Sequence, residues 1–494
     1  MTIMEQNLEF ERSNHVQHIG DEHKKTFGQY FTPIKIAQFM ASLFPKSNSA
    51  HIKILDPGAG IGILACSLIE RIRSEQWSLK HLEVDAYDID LNVTESLQAN
   101  LVSASKDLPA ELFVSNENFV ESVCQPVLFA DHKRYTHVIM NPPYSKINAK
   151  SKERQLLRSI GVETGNLYSG FLAAAIHVTE QRGHIVAIIP RSFCNGAYFL
   201  PFRKYLLENC TIKQIHLFES RRDAFKEESV LQENVIIHLQ KGISQDQVLV
   251  TYSTRLDFSE IRSQYYPFIE IVDPTDLLNV ISIPVPGTQL DGPVFKYRLP
   301  QLGISVSTGP IVDFRMRELL EEGFIEGSYP LLYPTHQKNF VLDWPKTGKK
   351  PNAIKNDPLV TNQLFPAGNY VIVKRFSSKE ETRRIVASIV TEESFPTKFF
   401  TAENHLNIFH SNKHGIRKEI AYGLFAYLNT TYADEQFRLF SGHTQVNATD
   451  LKNFPYPASD VLEAMGKAAM LCKTYDQVIF DMIFNKAVKT NGSY

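Results

Sequence analysis

The stretch Ile52-Lys53-Ile54-Leu55-Asp56-Pro57-Gly58-Ala59-Gly60-Ile61-Gly62 decides the fold. Its first five residues predict a short buried strand, and a helical pattern follows from Ile63 to about Arg73. Glycines between a strand and a helix let the backbone approach a nucleotide-shaped ligand closely. The spacing differs from the dinucleotide-binding GxGxxG motif, so the glycines alone leave a dehydrogenase open as an alternative.

The next predicted strand ends in an acid. Leu82-Glu83-Val84-Asp85-Ala86-Tyr87-Asp88 is apolar enough to be buried, and Asp88 follows it directly. The carboxyl ends of strands in open α/β sheets line the ligand crevice. We therefore expect Asp88 to accept hydrogen bonds from the hydroxyls of a ribose.

A third motif, Asn141-Pro142-Pro143-Tyr144, follows the apolar run His137–Met140. The two prolines fix φ twice and remove two backbone donors, so the segment is rigid. An amide oxygen of Asn141 and the carbonyl of Pro142 can accept both hydrogens of a planar amino group, and Tyr144 can stack on the ring that carries it. The motif fits an exocyclic amine such as N6 of adenine, whereas a strand-terminating turn is the structural alternative.

The alternation of apolar strands with helices predicts a seven-stranded, doubly wound, Rossmann-like α/β sheet followed by a second, irregular α+β domain. We expect a polar amino-terminal segment over residues 1–25, loosely docked, a sheet domain over 26–245 and a second domain over 246–494 that ends in one helix from Ala458 to about Lys489. The expected strands span residues 52–56, 82–88, 111–115, 136–141, 184–190, 212–218 and 233–240.

The composition of the chain excludes several classes of protein. The chain has 494 residues and a net charge of −2, so any nucleic-acid contact must come from a local basic surface. No apolar run reaches the roughly 18 residues of a membrane span, and the amino terminus does not resemble a secretory signal. Five scattered cysteines without a CxxC pattern indicate reduced thiols and no zinc site. We therefore expect a cytoplasmic protein without a bound metal.

These motifs, in this order, resemble the adenine-N6 DNA methyltransferases of type II restriction-modification systems, in the gamma-type motif order and with a TaqI-like catalytic domain. The supporting stretches are Phe27–Pro33, Asp56–Gly60, Asn118-Phe119, Asn141–Tyr144, Asn166–Phe171, Arg182–Pro190 and Asp223–Phe225. The resemblance implies S-adenosylmethionine as cofactor and a methyltransferase form of the predicted sheet. Asn118 departs from the family's usual Asp, whose carboxylate binds the adenine amine of the cofactor.

The resemblance also implies roles for individual residues. The catalytic residues are Asn141, Pro142 and Tyr144. The cofactor-binding residues are Tyr30, Thr32, Asp56, Gly58, Gly60, Asp88, Ile89, Asn118 and Phe119. Phe225 is expected to stack on the second face of the target base. Lys146 and Lys150, within a basic run that also contains Lys152, Arg154 and Arg158, are expected to contact phosphates.

The carboxyl half resembles the PstI/BsuBI-type modification enzymes in the motifs Val312–Arg315, Lys374–Glu381 and Gly442–Leu451. Arginine binds guanine O6 and N7 bidentately, so Arg315, Lys374, Arg375 and Arg384 are the candidates for base recognition. His443, Gln445 and Asn447 are expected to act mainly as scaffold. The implied recognition sequence is a six-base palindrome that contains adenine.

The expected partners are double-stranded DNA with a specific short palindromic site and a cognate restriction endonuclease, with the enzyme acting as a monomer in a bacterial or archaeal cytoplasm. A protein-glutamine or RNA N-methyltransferase is an alternative, because Asn-Pro-Pro-Tyr also serves amide nitrogen. A non-catalytic DNA-binding subunit is another. None of the five cysteines follows a proline, as the nucleophile of a cytosine-C5 enzyme usually does.

Overall fold

A computed structural model describes residues 3–18, 31–125, 133–219, 233–287, 293, 295–377, 382–440 and 445–491. The chain forms two compact units, Met1–Thr288 and Gln289–Tyr494. No helix in the described ranges is long and apolar enough to span a membrane.

The first unit is built on a nine-stranded sheet with the order β3-β2-β1-β4-β5-β7-β6-β8-β9. Its strands are β1 (His51–Pro57), β2 (His81–Tyr87), β3 (Ala110–Ser115), β4 (Tyr135–Met140), β5 (Thr179–Pro190), β6 (Cys210–Phe218), β7 (Asn234–Lys241), β8 (Gln247–Ser253) and β9 (Ile261–Pro267). The strands β1 to β5 are parallel, and β7 lies antiparallel between β5 and β6. The carboxyl ends of β1, β2 and β4, which carry the sequence motifs, therefore lie at one edge.

The sheet has two strands more than the sequence analysis predicts. The strand β8 pairs in parallel with β6, and β9 pairs antiparallel with β8. The predicted domain limit at residue 245 thus falls between two strands of one sheet, and the first compact unit continues to Thr288. The polar residues 242–246 resemble a linker, yet Val248 and Val250 beyond them are fully buried in the core of this unit.

Helices cover both faces of the sheet. They are α1 (Ile3–His18), α2 (Ile34–Ser42), α3 (Ile63–Ser74), α4 (Thr94–Ala104), α5 (Phe119–Cys124), α6 (Lys152–Ser159), α7 (Leu167–Val178), α8 (Leu200–Asn209) and α9 (Phe268–Ile271). Successive residues of β5 enter opposite cores, because side chains alternate along a strand. Ile185, Ala187 and Ile189 face one core, whereas Val186 and Ile188 face the other.

The amino-terminal segment differs from the expected loosely docked chain. Residues 3–18 form the helix α1, whose Leu8 is buried. Glu9 Oε2 accepts a hydrogen bond of 3.0 Å from the backbone N–H of Ile34, the first residue of α2. Glu11 Oε2 accepts one of 3.0 Å from Asn100 Nδ2, on α4. A few specific contacts therefore anchor a helix whose overall composition is too polar to signal burial.

Three histidines lie side by side on the neighbouring strands β4, β5 and β7; His137 and His238 are buried and His184 is partly buried. The ring centroids of His137 and His184 are 6.3 Å apart, and those of His184 and His238 are 5.2 Å apart. Burial lowers the pKa of His137 to about 3, that of His184 to about 4 and that of His238 to about 3. We call these three residues the histidine cluster, and they are neutral in the folded protein at pH 7.

The second unit combines small sheets with helices. A four-stranded antiparallel sheet has the order β10-β20-β17-β18, a five-stranded sheet the order β11-β15-β12-β19-β16, and β13 pairs with β14. The strands are β10 (Ser305–Thr308), β11 (Leu320–Glu321), β12 (Tyr329–Leu332), β13 (Gln337–Lys338), β14 (Val341–Leu342), β15 (Ala353–Ile354), β16 (Phe365–Pro366), β17 (Tyr370–Lys374), β18 (Ala387–Val390), β19 (Phe399–Ala402) and β20 (Leu406–His410). The helices are α10 (Pro358–Thr361), α11 (Lys418–Leu428), α12 (Thr431–Phe440), α13 (Ala448–Asn453), α14 (Ser459–Met470) and α15 (Gln477–Asn491).

The carboxyl-terminal helix predicted from Ala458 to about Lys489 is two helices, α14 and α15. The chain leaves the helical conformation between Leu471 and Asp476. Asp476 then accepts a hydrogen bond of 2.8 Å from the backbone N–H of Ile479. Such a side-chain acceptor satisfies a donor that the first turn of a helix leaves without an intrahelical partner, and so it starts a new helix.

Candidate active site

The glycine loop after β1 brings its backbone to the edge of the sheet. Gly58 and Gly60 have φ values of 80° and 53°, a conformation that side chains other than glycine adopt rarely. The backbone N–H groups of Gly58 and Ala59 donate to the carbonyl of Tyr87 at 2.8 and 2.9 Å. A Cβ atom on Gly58 would lie 3.7 Å from the carbonyl oxygen of Asn141. The loop therefore lies directly beside the Asn-Pro-Pro-Tyr segment.

Asp88 holds this loop in place. Its Oδ2 accepts a hydrogen bond of 2.7 Å from Gly60 N–H, and its Oδ1 accepts one of 2.9 Å from Asp90 N–H. The side chain is buried at the carboxyl end of β2. A carboxylate oxygen can accept more than one hydrogen bond, so these contacts are compatible with ribose binding.

Asp56 lies beneath the loop, fully buried. Its Oδ2 accepts a hydrogen bond of 3.1 Å from Ala65 N–H in the first turn of α3, and its Oδ1 has no hydrogen-bond partner among the described residues. Burial raises the pKa of Asp56 to about 8; the Ala65 N–H opposes this rise and the charge of Asp88 adds to it. In the structure the side chain of Asp56 contacts α3, so a contact with cofactor remains a prediction.

A cavity opens between the glycine loop and the Asn-Pro-Pro-Tyr segment. Its walls include the predicted residues Thr32, Gly58, Gly60, Asp88, Ile89, Asn118, Phe119 and Asn141. Ile89 is half-exposed, whereas Phe119 is buried and packs against Phe171 with ring centroids 5.5 Å apart. The cavity is also lined by four residues that the motifs did not predict as site residues, Phe31, Glu117, Glu153 and Phe171. Phe31 and Phe171 lie within the motifs Phe27–Pro33 and Asn166–Phe171, so the sequence indicated that these two residues lie near the site.

Asn118 uses both ends of its amide within the protein. Its Oδ1 accepts a hydrogen bond of 3.3 Å from Glu121 N–H and caps α5, and its Nδ2 donates to Glu153 Oε1 at 3.1 Å. Glu153 belongs to a charged stretch that the sequence analysis connected with phosphate contact. In the structure it instead places a carboxylate in the cavity wall, beside the position where the resembling family has an acid.

The amide of Asn141 lies at the carboxyl end of β4 and is buried. Its Nδ2 donates a hydrogen bond of 3.1 Å to Thr32 Oγ1. Its Oδ1 accepts one of 2.9 Å from the hydroxyl of Tyr144, which also lies 3.4 Å from the carbonyl oxygen of Ile188. An amide oxygen has two lone pairs, so it can accept more than one donor. The arrangement presents a hydrogen-bond acceptor in a water-poor site beside the cavity.

The basic run after Tyr144 divides into two groups. Lys152 pairs with Glu121 at 2.6 Å, and both Arg154 and Arg158 pair with Glu163. Lys146 and Lys150 are exposed, and within the described ranges neither forms an ion pair. Arg154 and Arg158 share one carboxylate, so the run as a whole keeps a net positive charge, and Lys146 and Lys150 are its two exposed cations without an ion pair in the described ranges. Their contact with phosphates stays a prediction.

Parts of the three carboxyl-half motifs converge at one end of the four-stranded sheet of the second unit. The backbone of Arg375 donates to His405 O at 2.9 Å and accepts from Val446 N–H at 2.7 Å. Asn404 N–H donates to Ile311 O at 2.8 Å, which brings in the loop that contains Arg315. We call the surface formed by Phe314, Arg315, Lys374, Arg375, Phe376 and His405 the basic-aromatic edge.

The base-recognition candidates differ in accessibility. Arg315 is exposed and its guanidinium carbon lies 5.5 Å from the ring centroid of Phe314. Lys374 and Arg375 are half-buried, and Arg375 Nη1 donates to Asn404 O at 3.2 Å. Arg384 is fully buried, with its guanidinium 6.0 Å from the ring of Phe437, so the prediction that it recognises a base is wrong. Asn447 precedes α13 and bonds Asp450 at 3.3 Å, a scaffold contact.

Three predicted residues, Tyr30, Phe225 and His443, lie outside the described residues. The role of Tyr30 in cofactor binding and the stacking of Phe225 on the target base remain predictions.

Comparison with known proteins identifies the family. The family model described as Eco57I restriction-modification methylase matches residues 35–225. Type II methyltransferase M.BsuBI of Bacillus subtilis is 47% identical over 90% of this chain and 90% of its own length. Type II methyltransferase M.PstI of Providencia stuartii is 36% identical over 94% of each. The cryo-EM structure of a DrdV–DNA complex shares the fold, with 13% identity and a TM-score of 0.51 over 94% of this chain and 59% of that chain.

The cavity fits the cofactor of this family, S-adenosylmethionine. The positive-φ glycines expose backbone to the cavity, and a Cβ on Gly60 would lie 3.0 Å from Phe31 Cε1. Asp88 offers a carboxylate for hydroxyl groups, and Ile89 and Phe119 offer apolar surface for a purine. The cofactor is S-adenosylmethionine, and the chain belongs to the type II DNA methyltransferases of restriction-modification systems.

Proposed function

We propose that this enzyme methylates N6 of adenine within a short palindromic sequence of double-stranded DNA. The observation that carries the proposal is the buried acceptor Asn141 Oδ1 at the end of β4, next to the glycine loop. An amino nitrogen held there lies at the edge of the cofactor cavity. In this proposal the enzyme acts as a monomer in a bacterial or archaeal cytoplasm and protects the DNA from a cognate restriction endonuclease.

The protein's task is to position and activate a weak nucleophile. The lone pair of adenine N6 is delocalised into the ring, so the planar amine attacks poorly. Asn141 Oδ1 and the carbonyl of Pro142 accept its two hydrogens, which draws the nitrogen toward a tetrahedral geometry and localises the lone pair. Bound S-adenosylmethionine supplies a methyl group on a sulfonium whose leaving group is a neutral thioether. The amine loses its proton to solvent after transfer, so the site needs no carboxylate base.

The target atom lies inside the duplex, so the adenine has to leave the helix. Extrusion costs a few kcal/mol. Stacking of the extruded base on aromatic side chains stabilises the complex by about 1–3 kcal/mol per base, which offsets part of this cost. Tyr144 provides one face, and Phe225 the other. The hydroxyl of Tyr144 contacts the same Asn141 oxygen that binds the amine, which supports a role beside the target base.

The second unit is proposed to recognise the DNA sequence. The basic-aromatic edge brings an exposed Arg315 together with Arg375 and Lys374, and arginine distinguishes guanine by its two acceptors. Lys146 and Lys150 contact phosphates beside the active site, where their charges have no partner within the described ranges. Phosphate contacts fix the orientation of the protein, whereas contacts with base edges provide specificity.

Methylation mapping tests the proposal. The gene is expressed in a host that lacks DNA methyltransferases, and its DNA is analysed by single-molecule sequencing and by mass spectrometry of nucleosides. We expect N6-methyladenine on both strands of one palindromic motif and none in the host that carries an empty vector. Methyl groups on cytosine N4 or cytosine C5, or on RNA or protein instead of DNA, would contradict it.

A further inference from the structure

The orientation of the Asn141 amide depends on a neighbour outside the Asn-Pro-Pro-Tyr motif. Thr32 is buried, and its Oγ1 accepts a hydrogen bond of 3.1 Å from Asn141 Nδ2. This contact joins two segments that are far apart in sequence. The opposite side of the same amide, Oδ1, meets the hydroxyl of Tyr144 at 2.9 Å.

An asparagine side chain is useful here in only one of its two orientations. The amide carries an acceptor on one side and two donors on the other. If it rotated by half a turn, it would present donors to the amine of the target base, which also donates. An aspartate would not have this problem, since both of its oxygens accept hydrogen bonds.

The segment that carries Thr32 is held from both sides. The carbonyl of Pro33 accepts hydrogen bonds from Ile36 and Ala37 N–H at 3.0 and 3.1 Å, and Glu9 of α1 accepts from Ile34 N–H at 3.0 Å. Phe31 packs against the glycine loop, where a Cβ on Gly60 would touch its ring at 3.0 Å. The Thr32 hydroxyl is therefore held in place by the protein itself.

We propose that Thr32 is a positioning residue for catalysis: its hydroxyl accepts from Asn141 Nδ2 and so directs Oδ1 toward the amine. The inference rests on the proposed adenine-N6 activity. It differs from the role that the sequence resemblance implies, in which this segment contacts the methionine end of the cofactor.

Steady-state kinetics and cofactor binding of Thr32 variants test the proposal. Thr32→Val keeps the shape and removes the hydroxyl, and should lower kcat by about 10- to 100-fold, as expected for one lost polar contact in a buried site. The Kd for S-adenosylmethionine, measured by calorimetry, and the KM for it should stay within about twofold. Thr32→Ser, which retains the hydroxyl, should recover most of the rate.

Thr136→Val is the matched control. Thr136 Oγ1 bonds the backbone of Lys53 at 2.9 and 3.1 Å and lies 2.8 Å from His137 Nδ1, near the other end of β4. This variant therefore loses a partly buried threonine hydroxyl without touching Asn141. Its kcat should equal that of the wild type. Thermal melting of all variants identifies any loss of fold, and rescue by Thr32→Ser separates the hydroxyl from the fold of the segment.

A double variant, Thr32→Val combined with Asn141→Asp, measures the coupling between Thr32 and Asn141. With Asn141→Asp, orientation no longer matters, so adding Thr32→Val should change the rate by less than about threefold. An unchanged kcat in Thr32→Val would overturn the proposal. A raised cofactor Kd at constant kcat would overturn it as well, since Thr32 would then be a cofactor contact. If the wild type makes no N6-methyladenine, the proposed function itself fails.

Discussion

Asn141→Ala is expected to lower kcat for DNA methylation by about 10³-fold, at the upper end of what the loss of one preorganised polar group costs. In the proposed mechanism the amide oxygen of Asn141 acts on the amine as it becomes tetrahedral, so its removal should lower kcat and kcat/KM equally. Calorimetry with S-adenosylmethionine should show nearly unchanged binding, because the predicted contact of Asn141 is with the target base. A tritiated-methyl transfer assay measures the rate.

Asn209→Ala is the control for Asn141→Ala. Asn209 lies at the end of α8, where its Nδ2 donates to Tyr205 O at 2.8 Å, so it should retain full activity. Substantial activity in Asn141→Ala would show that the amide does not activate the nucleophile. A large loss of cofactor affinity would show instead that Asn141 belongs to the cofactor site.

Stability of the first unit should fall below pH 6.5, because the histidine cluster, with His137 and His238 buried and His184 partly buried, is neutral in the folded protein. Burial lowers the pKa of His137 to about 3, of His184 to about 4 and of His238 to about 3. The nearby charges of Arg71 and Lys213 add to the lowering. Between pH 6.5 and 4 the unfolded chain binds protons that the folded protein excludes. Each of the two buried histidines, His137 and His238, should cost about 1.4 kcal/mol of unfolding free energy per pH unit, and the partly exposed His184 less because solvent screens it.

Urea unfolding at pH 7, 6 and 5 measures this loss. The chain has two tryptophans. Trp344→Phe leaves Trp77 of the first unit as reporter, and its ring lies 5.9 Å from that of His137. His137→Phe removes one titrating group whose Nε2 has no hydrogen-bond partner in the part of the chain that the structure describes, so the slope with pH should shrink by about one proton. His51→Gln, at an exposed position, should keep the full slope. An unchanged slope in His137→Phe would refute the account of the cluster.

The sequence predicted the elements that carry local signals. The strands from Ile52 to about Gln240 each combine an apolar run with a turn signal, and the structure contains all seven. The strands β8 and β9 escaped prediction because β8 pairs with β6 across a long stretch of chain and β9 pairs in turn with β8. The polar residues 242–246 ahead of β8 resemble a linker, and so does β9, because most of its residues are exposed.

The site was predicted at the level of motifs, and the structure added the contacts between them. Spacing identified Asp88 and Asn141, but no local pattern indicates that Thr32 bonds Asn141 or that Glu153 bonds Asn118. Both contacts join segments distant in sequence. The burial of Arg384 also depends on the packing of α12 beside it, so its charge alone suggested a surface role.

The central claim, that this enzyme acts on an adenine rotated out of the helix, is tested most directly by binding to DNA with an altered target pair. An abasic site opposite the target removes the pairing that extrusion has to break, so affinity should rise by about tenfold or more. 2-Aminopurine at the target should brighten on binding, and brighten further with Tyr144→Ala, which removes a stacking quencher. Equal affinity for paired and unpaired targets, with no fluorescence change in wild type or variant, would contradict the account.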